Sequence, residues 1–84
     1  MRMPTVLRYG PYRIYFHSHD LINEPPHVHV DRAELSAKLW LKPVALARNL
    51  GFGASELRKI ERLVAAQQFA LLEKWDEEYG HVAG

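Results

Sequence analysis

The apolar residues of this chain change their spacing once, and that change fixes the fold class. Leu35, Ala37, Leu39 and Leu41 alternate with Ser36, Lys38 and Trp40, the pattern of an antiparallel strand with one face in a core and the other in water. From Ser55 onward the steps become helical, and Leu57, Ile60, Val64, Leu71, Trp75 and Tyr79 fall on one stripe. Ser55 is the expected N-cap with Glu56 in the first turn, and Gly80 the expected close. A helix from Ser55 to Tyr79 is about 36 Å long. That length crosses the whole apolar face of a small sheet, with Gln67 interrupting the stripe where the helix passes the sheet edge.

Before the helix the spacing predicts four strands. Residues 4–9 and 12–16 flank Gly10-Pro11, which suits a type II′ turn: glycine takes the positive φ and proline the fixed negative one. Pairing Tyr9 with Tyr12 sets Leu7 against Ile14 and Thr5 against Phe16 on the core face. On the reverse face Arg8 meets Arg13 and Val6 meets Tyr15. A loop containing Asp20, Asn23, Pro25 and Pro26 then leads to a third strand, His27 to Asp31, and a turn at Arg32-Ala33 leads to the fourth. Four of the five histidines lie between residues 17 and 29 at odd positions. A register that pairs Phe16 with Val30 and Ser18 with Val28 sets His17 against His29 and His19 against His27, gathering the rings on the outer face. Pro43 ends the fourth strand or puts it at an edge. Residues 44–53 read as a short turn of helix and a loop.

The expected architecture is therefore an α+β domain: a four-stranded antiparallel meander with one long C-terminal helix on its apolar face. Its 84 residues suffice for one domain, 1–84, with 80–84 as a loose tail. No cysteine is present, which excludes disulfides and thiolate cages and makes the cytoplasm the default compartment. The first residues lack the apolar run of a signal peptide, and no stretch has the length of a membrane span. Net charge is +1, unevenly spread: residues 1–62 carry ten Lys/Arg against six Asp/Glu, and residues 63–84 one against four. A mildly basic body does not by itself imply nucleic acid.

The outer sheet face should display Arg8, Arg13, Tyr15, His17, His19, His27, His29, Asp31, Lys38 and Trp40. Arginine and aromatic side chains are the anchors of protein interfaces, so Arg8, Arg13, Tyr15, Lys38 and Trp40 are candidates for holding a partner or an anion. His17, His19, His27 and His29 are candidate ligands for Zn²⁺, Ni²⁺ or Cu²⁺, with Asp31 as a further one. His27 and His29 are also the candidate acid–base pair for RNA cleavage, with Arg13 or Lys38 on the phosphate. Tyr15 or Trp40 beside Arg13 and Lys38 would suit base stacking in single-stranded nucleic acid.

Several strings are specific: Met3-Pro4-Thr5-Val6-Leu7-Arg8, Asn23-Glu24-Pro25-Pro26-His27-Val28-His29-Val30, Ala37-Lys38-Leu39-Trp40-Leu41, Leu46-Ala47-Arg48-Asn49 to Gly51-Phe52, and Glu56-Leu57 with Ile60-Glu61. Through them the chain resembles a small bacterial family, domain of unknown function 4160. The resemblance implies a stand-alone cytoplasmic protein, often encoded beside a second small protein in arrangements suggestive of toxin–antitoxin pairs. His17 and His19 depart from the family pattern, which has an aromatic or small polar residue and an asparagine or aspartate there, so a family-wide role rests on His27 and His29. The leading expectation is a small interaction protein of a toxin–antitoxin-like pair that binds a partner protein or nucleic acid through the outer face, with a homodimer open. The runner-up is a divalent-metal-binding or hydrolytic protein centred on His27 and His29.

Overall fold

The computed structural model describes residues 5–16 and 24–79. Five strands, β1 (Thr5–Tyr9), β2 (Tyr12–Tyr15), β3 (His27–Arg32), β4 (Leu35–Leu41) and β5 (Val44–Leu50), form one antiparallel sheet in chain order. Two helices follow, α1 (Ala54–Ala66) and α2 (Gln68–Tyr79). The α+β class and the antiparallel sheet agree with the sequence reading; the strand and helix counts correct it from four and one to five and two.

The extra strand is β5, where the sequence suggested a turn of helix. Ala45, Leu46, Ala47 and Arg48 are good helix formers, and most of β5 is exposed, so it shows no buried alternation. Tertiary pairing overrides the local preference: Pro43 ends β4 in a tight turn, and the chain returns with Leu41 opposite Val44. The ladder slips by a residue between Lys38 and Leu39.

The β1–β2 hairpin pairs Tyr9 with Tyr12, Arg8 with Arg13 and Leu7 with Ile14 as expected. Gly10 has φ of +58°, the value required at the first central position of a type II′ turn. Beyond Leu7 a bulge intervenes and Thr5 pairs with Tyr15, replacing the expected Thr5–Phe16 and Val6–Tyr15 partners. Between β2 and β3 the register also differs. Val30 faces Ile14 and His29 faces Tyr15, in place of the expected Phe16 and His17; His17 itself lies outside the described residues. The shift is two residues, which keeps every side chain on its expected face.

That conserved parity is why the core is the expected one. Ile14, Phe16, Val28, Val30, Leu39 and Leu41 have no exposed surface, and Ile60, Val64, Leu71 and Trp75 cover them from the helices. The helix starts earlier than expected. Asn49 accepts from the Phe52 amide at 3.0 Å and donates to its carbonyl at 2.9 Å, fixing a tight turn that makes Gly53 the N-cap and leaves Ser55 inside the first turn. Gly51 in this turn has φ of +106°, a backbone conformation that requires glycine, and a Cβ there would also push the Leu35 side-chain tip aside, at 2.5 Å.

The single long helix breaks at Gln67. From Ala65 to Ala70 no core-facing apolar side chain anchors the chain; instead Gln68 donates its side-chain amide to the Leu41 carbonyl at 2.7 Å. A polar tether to the end of β4 replaces packing. After the break Leu71 and Trp75 return to the core. No described helix is long and apolar enough to cross a membrane. The expected loose tail and the Gly80 cap lie outside the described residues.

Candidate functional site

Cross-strand pairing lays the outer face out in rows. One row runs Arg8, Arg13, Asp31, Ser36 and Leu50, and the next runs Tyr15, His29, Lys38 and Arg48. Because opposite residues share a face, the sequence candidates Arg8, Arg13, Tyr15, His29, Asp31, Lys38 and Trp40 come together there. The structure adds Ser36, Arg48, Leu50 and, from the approach to β3, Glu24. Ser36 was legible from its alternation with Lys38. Arg48 was hidden by the helical reading of its segment.

Asp31 organises the first row. Its carboxylate accepts from Tyr15 Oη at 3.0 Å, from Ser36 Oγ at 2.7 Å and from Arg13 Nη2 at 3.3 Å. Arg13 lies over the Tyr15 ring at 4.8 Å, while its enclosed Nε has no acceptor among the described residues. The cation therefore acts mainly by stacking on Tyr15 and not as a bidentate clamp. His29 stacks on the same ring at 5.3 Å. Burial, and then the hydrogen bond to Asp31, push the Tyr15 hydroxyl above its ordinary pKa.

In the second row Lys38 is bound to Glu24 at 2.5 Å and sits 4.9 Å over Trp40. A cavity of about 280 Å³ opens beside it, lined by Glu24, His29, Ser36, Lys38, Arg48 and Leu50. Lys38 and Arg48 stand directly opposite one another, an arrangement of like charges that is unfavourable without an anion.

His27 corrects the expectation of an outward-facing histidine. It lies on the outer face opposite Trp40, yet none of its surface is exposed. Trp75 of α2 packs on it at 5.2 Å and Trp40 at 5.8 Å, and Nδ1 lies 2.9 Å from the Pro25 carbonyl, to which it donates. Its ring is 5.4 Å from that of His29. Among the described residues no group of three His, Asp or Glu side chains could hold a metal ion; His17 and His19 lie outside them.

A second polar cluster escaped the sequence reading. At the other end of the inner face Arg32 donates Nε and Nη2 to the two oxygens of Glu56 at 2.6 and 2.7 Å, and Tyr12 Oη donates to the same carboxylate at 2.7 Å. These bonds tie α1 to β2 and β3. The hydrogen bonds from Arg32 and Tyr12 hold the Glu56 carboxyl at about 2, well below its ordinary value. A depressed carboxyl stabilises the fold fully above its unfolded pKa near 4.5, and that contribution is lost as pH falls toward about 2. Acid unfolding of the protein is expected to steepen in this window and to lose part of its pH dependence in Glu56→Gln. Identical acid profiles for the two proteins would remove Glu56 from the linkage.

The family model described as Domain of unknown function (DUF4160) matches residues 12–76. Neither the curated proteins nor the solved structures contain a match to the chain.

Proposed function

The chain belongs to the DUF4160 family, and from that premise together with the outer face we propose that it is an interaction protein, one half of a toxin–antitoxin-like pair, whose sheet face holds a partner protein inside the cell. The observation that carries this reading is how the face satisfies itself. Arg13 and His29 both stack against the Tyr15 ring, and Lys38 lies over Trp40. Bases would have to displace these groups in order to stack. Asp31 and Glu24 meanwhile offset two of the cations. A face of mixed charge with positioned aromatics suits a protein surface better than a phosphate backbone.

The metal and hydrolytic readings draw less support. A general acid or base must reach its substrate, and His27 is enclosed, leaving His29 as the more accessible of the two. Co-purification from the native host tests the proposal, with protein, nucleic acid and metal measured in the same sample. A stoichiometric second protein is expected. Stoichiometric nucleic acid, or a metal ion lost on His29→Ala, would replace this reading with one of the others.

A further inference from the structure

The sheet ends at β5, and no described strand lies beyond it. This edge is seven residues long, and natural sheets usually shorten, cover or charge such an edge because its free backbone groups invite pairing. Here Arg48 is the strand's one charge and apolar surface flanks it: Leu50 is 55% exposed and Leu46 36%. Arg48 between them points to the outer face opposite Lys38. Lys38 has Glu24 as its counterion, whereas Arg48 has no ion pair or hydrogen bond from its side chain among the described residues. The cavity of about 280 Å³ beside these two cations already holds one carboxylate, that of Glu24.

We propose that β5 is a receptor edge: an extended segment of a partner protein adds to the sheet as a sixth strand and seats an acidic side chain against Arg48. Backbone hydrogen bonds along the edge supply affinity, and the pockets for alternate side chains supply selection. A residue opposite Arg48 projects to the outer face beside it, at the rim of the cavity, and the residue opposite Leu50, two positions away, projects to the same face. The segment is thereby specified as an acidic and an apolar residue two positions apart in a β-prone stretch. The carboxylate pairs with Arg48 as that of Glu24 already pairs with Lys38, and the apolar residue covers Leu50. A second copy of this chain is a poorer occupant, because β5 reads Val-Ala-Leu-Ala-Arg-Asn-Leu and carries no acid. Two copies joined along this edge bring arginine to a surface that already repels it.

The inference rests on the protein-partner reading above and is tested separately from it. Random peptides displayed on phage are panned against the full chain, and the leading clone is synthesised. Enriched peptides are expected to carry Asp or Glu two positions from an apolar residue and to slow hydrogen exchange at the β5 amides. Their affinity should fall about tenfold or more against Arg48→Glu and recover when the peptide's acid is changed to lysine. Failure to enrich any peptide, clones without an acid, affinity indifferent to Arg48→Glu, or protection away from β5 would each overturn the proposal. Concentration-dependent protection of β5 without peptide would overturn it in favour of a second copy. A native partner that binds while leaving the β5 amides unprotected ends this inference alone and leaves the interaction function standing.

Discussion

Trp75→Ala is expected to destabilise the protein by about 3–5 kcal/mol, the cost of deleting a large aromatic from a packed core. Trp75 is 8% exposed. Its ring meets Phe16 edge-on at 5.3 Å and leans on His27 at 5.2 Å, so one side chain joins α2 to the apolar face and to the start of β3. Total stabilities of small domains are roughly 5–15 kcal/mol, which makes this loss a large share of the whole. Urea denaturation with linear extrapolation measures it. A change near zero would show that α2 does not hold its position through this ring.

His27→Ala should cost roughly 2–4 kcal/mol, from the lost packing of an enclosed ring and its hydrogen bond to the Pro25 carbonyl. His29→Ala, at a half-buried site on the outer face, should cost less than about 1 kcal/mol. The contrast separates the roles of two histidines in one short string. An acid–base pair would lose turnover at both positions with stability largely kept. Comparable small losses at the two positions would contradict the enclosure of His27.

Parity explains why so much of the fold was legible. Side chains on a strand alternate with period two, so Ile14, Phe16, Val28 and Val30 had to share a face whichever partners they took. The exact register was not so constrained. A shift of two residues leaves every face intact, and the alternation of histidines made the wrong even shift attractive. β5 was hidden because an edge strand with most of its side chains in solvent carries no buried pattern, and its Ala, Leu and Arg favour helix in isolation. The burial of His27 is a tertiary effect: its own strand position points outward, and Trp75, far along the chain, covers it. Likewise Glu56 reads locally as a first-turn acid suited to the helix dipole, and only the fold brings Arg32 and Tyr12 to it.

The outer face was readable as a set of residues but not as a network. Alternation brought Arg13, Tyr15, Asp31 and Lys38 together, whereas Asp31 accepting from three side chains at once follows from cross-strand geometry. That network changes the chemistry expected of the face. Aromatics that looked open to bases are stacked by the protein's own cations, and the cations of the face without a partner among the described residues, Arg8 and Arg48, lie toward the sheet edges.

Calorimetry of the protein with its co-purified partner, at low and high salt, tests the interaction reading most directly. A partner protein held by this face should lose less than about tenfold in affinity between roughly 50 and 200 mM salt, because few counterions are released. Arg13→Ala and Trp40→Ala, each with its denaturation midpoint checked to show that it remains folded, should each weaken binding by about 2 kcal/mol, as interface anchors do. A loss of roughly 10³-fold or more over the same salt range, the signature of many phosphate contacts, together with indifference to Trp40→Ala, would contradict a protein-binding face.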